Sequence, residues 1–256
     1  MVDPRATSDP LLATMALGRN FGGLAAVRDV SIRLHQGELH AVIGPNGAGK
    51  STLVNLLSGH LAPTMGTIQL TGRDIAGEPA WRMTHLGIGR SFQRTNLLKS
   101  LSVLENVRLA AQAVSGLPAS RLFRPAAREL ELIEAARTTI ERVGLAGAEH
   151  RPSGLLSHGE QRQLEIAMTL AARPRVLLLD EPLAGMGPEE GERFTHLLKD
   201  LAREHAILLI EHDMDFVFAV ADWMTVMVDG AVLAEGLPSQ VRANPDVQRA
   251  YLGGHA

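Results

Sequence analysis

The chain has 256 residues, 45% of them hydrophobic and 21% charged, with a formal net charge of −3. That is ordinary globular composition, long enough for a sizeable core, and the slightly acidic balance gives no global reason to bind nucleic acid or an acidic membrane. There is no cysteine, so disulfides and thiolate metal sites are excluded, and no apolar run has the length needed to span a bilayer.

The opening MVDPRATSDP lacks the basic segment and apolar core of a secretory signal. It is expected to be a short disordered arm on an intracellular protein, any membrane association coming through a partner. Apolar or alternating runs at residues 12–17, 25–34, 38–43 and 67–70 predict strands, separated by Gly22-Gly23, Gln36-Gly37, Pro63 and Gly72. The third run leads into Gly44-Pro45-Asn46-Gly47-Ala48-Gly49-Lys50-Ser51-Thr52, which fits the phosphate-loop pattern G-x-x-x-x-G-K-[ST], and a helix-like run over 52–57 leads out. Strand, Gly-rich turn and helix start together aim backbone N–H groups at phosphate oxygens. Gly44, Gly47 and Gly49 allow the turn and the close approach, Lys50 adds a point charge, and Ser51 offers a hydroxyl to Mg2+.

Over residues 101–143 the pattern turns helical, with Val103, Val107 and Ala110-Ala111, then Leu130, Ile133, Ala136 and Ile140, broken by Pro118 and Pro125. Ser157 followed by Glu160 ahead of Leu164 and Ile166 is a capping box, and a helix start bearing Ser157 and Gly159 also suits an anion. Continuous apolar runs at 176–179 and 206–210 predict strands of a parallel sheet buried on both faces, with a helix over 188–202 opened by proline. The first ends in Asp180-Glu181. Ligands sit outside the carboxyl ends of such strands, so Asp180 is expected to hold Mg2+ through water and Glu181 to take a proton from the water attacking a γ-phosphate. The second ends in Glu211-His212-Asp213, which places His212 toward the same phosphate, although a strand-end histidine by itself is often only a surface residue. The implied architecture is an α/β nucleotide-binding core interrupted by a helical insertion.

These motifs, in this order over nearly the whole chain, resemble the ATP-binding-cassette (ABC) ATPases. The resemblance implies an α/β P-loop NTPase (RecA-like) core with an antiparallel β-subdomain, over 1–92 and 159–256, and an inserted α-helical subdomain over 93–158. LSHGE at 156–160 is similar to the family signature, usually LSGGQ, and departs from it at His158 and Glu160. Ser157 and Gly159 are then the positions that touch phosphate. Gln93, in SFQRT, matches the loop that senses Mg2+ and the attacking water, and His212 matches the switch histidine. Phe21, in NFGG, matches the aromatic that stacks on adenine, the other reading being an ordinary strand phenylalanine. Residues 184–187 stand where the family has its dimer-contact loop, but the usual aspartate is missing.

The resemblance further implies ATP and Mg2+ as cofactors, with two cassettes sandwiching nucleotide head to tail. The implied partners are integral-membrane permease subunits, a second ABC ATPase subunit (paralogue or identical copy) and, indirectly, an extracytoplasmic solute-binding protein, with no nucleic acid. The implied place is the cytoplasmic face of the membrane. FGGLAAV, GIGRSFQ, LLIEHDM and NPDVQRAYLG look like the importer ATPases for branched-chain amino acids. Related cassettes serve urea, short amides, aromatic acids and lipopolysaccharide export. The nucleotide-binding subunit does not touch the solute, so the substrate class follows by association only.

Overall fold

A computed structural model describes residues 8–91, 97–115 and 129–252. Most of the expected N-terminal arm, together with Gln93, Pro118 and Pro125, lies outside the described residues. In chain order, β1 (Leu12–Phe21), β2 (Leu24–Val30) and β3 (Arg33–Leu34) precede β4 (Leu39–Ile43), the phosphate-loop turn and α1 (Lys50–Leu57). Then come β5 (Met65–Leu70), β6 (Arg73–Asp74), α2 (Ala80–Leu86) and β7 (Ile88–Arg90), followed by α3 (Val103–Val114), α4 (Leu130–Arg142) and α5 (His158–Ala171). The last part alternates β8 (Val176–Asp180), α6 (Pro188–Ala202), β9 (Ala206–Ile210), α7 (Met214–Val220), β10 (Trp223–Val228) and β11 (Ala231–Gly236), and closes with α8 (Pro238–Ala243) and α9 (Pro245–Leu252).

Two sheets result. One is antiparallel, in the order β2-β1-β5-β6 with β3 beside β1; the other runs β11-β10-β4-β9-β8-β7 and is parallel except for β11. Every residue of β4, β8 and β9 is buried, as their unbroken apolarity requires of strands covered on both faces. Side chains alternate across a strand, so β8 feeds two cores. Leu177 and Leu179 join Leu164, Phe194 and Val107 on the side of α3, α5 and α6, while Val176 and Leu178 join Leu53, Leu56 and Leu17 on the side of α1 and the antiparallel sheet.

Two of the predicted strand runs have other bounds than expected. β1 continues to Phe21: one edge pairs β5 as far as Gly18, while the other pairs β3 at Leu12 and Ala13 and then β2 from Leu17 to Phe21, with irregular register between Leu17 and Arg19. The run over 25–34 is not one strand: Asp29 takes a positive φ of 50°, β2 ends at Val30, and only Arg33 and Leu34 resume pairing with β1.

Candidate active site

The carboxyl ends of the neighbouring strands β4, β9 and β8 carry the phosphate loop, His212 and Asp180-Glu181, so one edge of the parallel sheet gathers the predicted chemistry. The loop is held open by backbone constraints. Gly49 has φ +95°, and a Cβ there would lie 2.3 Å from the Ala26 carbonyl oxygen, so a side chain meets both strain and a clash. The Lys50 ammonium is half-buried and donates to the carbonyls of Gly44 at 2.6 Å and Pro45 at 3.0 Å, arching over the loop it belongs to. Burial pushes its pKa down, and the Glu181 and Asp180 carboxylates oppose that.

A cleft of about 850 Å3 opens beside the loop. Asn46, Gly47, Ala48, Gly49, Lys50, Ser51 and Thr52 form one wall, and Phe21 and Glu181 line it too. Phe21 is 44% exposed, so it is not a core phenylalanine, and the Arg19 guanidinium stacks 4.8 Å from its ring centroid. Glu181 sits at φ +48°, its N–H held by the Ile210 carbonyl at 2.9 Å. That strained backbone turns its carboxylate toward the cleft, 4.0 Å from His212 Nδ1. The His212 side chain is otherwise exposed.

Asp180 is buried at the end of β8. Burial raises its pKa; the nearby Arg90 guanidinium, 4.0 Å away, works against this. Its Oδ1 has no hydrogen-bond partner among the described residues. An orphaned carboxylate oxygen and a serine hydroxyl at the first turn of α1 are the hard oxygen donors that Mg2+ takes, so the residues fit that ion. Among the described residues no three His, Asp or Glu side chains cluster as a metal site.

Over residues 27–184 the chain matches the family model described as ABC transporter. The chain belongs to the ABC transporter family. A second model, described as branched-chain amino acid ATP-binding cassette transporter, matches residues 231–256 of the cassette. The cassette is 43% identical over 252 residues to the "High-affinity branched-chain amino acid transport ATP-binding protein LivG" of Salmonella typhimurium, covering 96% of this chain and 99% of that one. It is 41% identical to the protein of the same description named BraF from Pseudomonas aeruginosa, covering 96% and 99%. Among solved structures, the ADP conformation of an ATP-binding cassette of an ABC transporter superposes with a TM-score of 0.86 at 32% identity, over 96% of this chain and 100% of that one. The fold is that of an ABC cassette, with the antiparallel and parallel sheets expected for it.

The signature lies elsewhere on the cassette. Ser157 and Gly159 do not line the phosphate-loop cleft. Ser157 caps α5, its hydroxyl accepting from the Glu160 N–H at 3.1 Å while the Glu160 carboxylate accepts from the Ser157 N–H at 2.7 Å. Arg151 grips the same carboxylate at 2.7 and 3.2 Å and is the largest cause holding its pKa down, so the acid in place of the usual glutamine is a paired charge. His158 is exposed. Gly159 is buried where a Cβ would fall 2.5 Å from the Glu190 carboxyl carbon, so only glycine fits without moving Glu190. Gln93 lies outside the described residues.

Two residues at the site escaped the sequence reading. Arg90 ends β7, beside Asp180, and donates to Asn55 Oδ1 at 2.7 Å and Ser58 Oγ at 2.8 Å. Arg28 lines the cleft with its guanidinium on the Asp229 carbonyl, at 3.0 and 2.6 Å. Their partners are remote in sequence, and no local spacing marks them.

Proposed function

We propose that this chain is the ATP-hydrolysing subunit of an importer for branched-chain amino acids or related small polar solutes. The observation that carries the hydrolytic reading is the Glu181 carboxylate, aimed into the Lys50 cleft and 4.0 Å from His212. Loop N–H groups and Lys50 bind the phosphates. Phe21, backed by Arg19, offers its face to adenine. Glu181 accepts the proton of the attacking water, and His212 orients that water or the γ-phosphate. Mg2+, held by Ser51, Asp180 and Gln93, would neutralise charge developing on the phosphates. Ser157 and Gly159, remote from their own chain's cleft, would complete the site of a second cassette, a paralogue or an identical copy.

Among the described residues no helix is long and apolar enough to cross a membrane, so we assign transport to permease subunits that hold the cassette at the cytoplasmic face. An extracytoplasmic solute-binding protein would deliver solute to them. The solute class is supported by likeness to LivG and BraF along nearly the whole length and by the C-terminal match over 231–256. The test is to tag a Glu181→Gln variant, hold it in ATP, and recover it from detergent-solubilised native membranes for mass spectrometry. Two permease subunits and a distinct second cassette are expected. Lipid-export components would overturn the solute class, and ribosomal or DNA-bound proteins alone would overturn transport.

A further inference from the structure

Beneath the Glu181–His212 pair lies a carboxylate to which neither the motifs nor the hydrolytic reading gives a role. Glu211 is 2% exposed. Its Oε1 accepts from the Leu183 N–H at 3.1 Å, and its Oε2 accepts from the His212 N–H at 3.0 Å. Leu183 belongs to the turn that follows Glu181, where the Ala184 N–H closes on the Glu181 carbonyl at 3.2 Å and the Met186 N–H on the Leu183 carbonyl at 3.0 Å. One buried side chain therefore ties the turn after β8 to the turn after β9. The Glu181 N–H adds a second tie, to the Ile210 carbonyl at the end of β9.

Residue chemistry explains why a carboxylate stands there. Two backbone donors approach from two different loops, and only a group with two acceptor oxygens and no hydrogen meets both. A glutamine would turn its NH2 toward one of the N–H groups. A purely apolar residue would leave both donors buried and unmet. The His212 ring also comes within 3.5 Å of Glu211 Oε2, so the same oxygen fixes the histidine's main chain and faces its ring.

We propose that Glu211 is a positioning residue for hydrolysis, locking the turn that carries Glu181 to His212 so that base and histidine reach the γ-phosphate as one unit. This rests on the roles assigned above to Glu181 and His212. Movement of the turn at 182–187 would then be passed to His212 through the Glu211 side chain, which links the position of the family's dimer-contact loop to the chemistry.

The test uses the full chain, comparing wild type, Glu211→Gln, Glu211→Asp and Glu181→Gln. In Glu211→Gln the KM for ATP is expected within about twofold of wild type, because phosphate loop and Phe21 are untouched, while kcat falls about tenfold or more. Amide hydrogen exchange is expected to quicken at Leu183 and His212 without a general loss of protection. Glu211→Asp keeps the charge but is too short to reach both donors, so it tests the idea even if the glutamine variant does not fold, and its kcat is expected to fall with KM held. Wild-type kcat in a folded Glu211 variant would overturn the proposal. So would kcat and KM worsening together with a general loss of protection, the mark of a merely structural carboxylate. If Glu181→Gln is inactive but the Glu211 variants are not, this inference fails alone; if Glu181→Gln turns over normally, the hydrolytic reading fails first.

Discussion

Replacing Lys50 by alanine removes the side-chain ammonium at the mouth of the phosphate loop, and its effect can be worked from the geometry. At a half-exposed site a unit charge about 4 Å from a phosphate charge is worth about 4 kcal/mol. In the free protein that ammonium already donates to the Gly44 and Pro45 carbonyls, and giving up or sharing these two bonds costs about 1 kcal/mol each. The net contribution to binding is about 2 kcal/mol, so Kd for ADP or ATP should rise about thirtyfold. The nucleotide-free fold loses the same two bonds, an effect opposed by relief of the lysine's burial, so the melting temperature should change little. Burial disfavours the charged amine and pushes its pKa down, and alanine has the higher helix propensity. Isothermal titration calorimetry on the two proteins, with a thermal melt of each, measures both effects. A Kd changed less than about threefold in a folded variant would refute the placement of Lys50 on the phosphates.

Phe21→Ala should weaken adenine nucleotides by about 1 kcal/mol, about fivefold in Kd, with little change in melting because the ring is 44% exposed. Equal affinity in a fluorescent-nucleotide titration would leave Phe21 without a role in the base site. Asp180→Asn should abolish Mg2+-dependent turnover yet raise the melting temperature of nucleotide-free, Mg2+-free protein at pH 7. The sign follows from burial: the folded pKa of Asp180 lies above its ordinary 3.8, so wild-type stability is highest below that value and is lost as pH rises through the folded pKa, a loss asparagine does not suffer. The gap should narrow as melts are taken toward acid, and an asparagine variant that melts lower than wild type at all pH values would contradict the burial argument.

The site was legible in sequence wherever its geometry is local. A strand, a Gly-rich turn and Lys50-Ser51 lie in one stretch, and Asp180-Glu181 and His212 each end an apolar run, so pattern and position coincide. Tertiary partners were not legible. Nothing near Glu211 in the sequence points to the Leu183 N–H, and nothing near Arg90 points to Asp180. β10 was also missed although it lies against β4 inside the sheet. Its WMTVMV carries a polar threonine inside an otherwise apolar run, and Thr225 is buried with its hydroxyl met by His40 Nε2 at 2.8 Å. The break at Asp29 was hidden because an aspartate takes the positive φ, with no glycine to mark it.

The most direct measurement of the central claim is steady-state ATP turnover by wild type and Glu181→Gln, purified side by side with contaminating ATPase excluded. Wild type should release phosphate slowly and only with Mg2+ present. The glutamine variant should bind ATP with similar affinity and retain it uncleaved, because the group that takes the water proton is gone. Normal multiple turnover by Glu181→Gln would contradict the account and move the base to another residue.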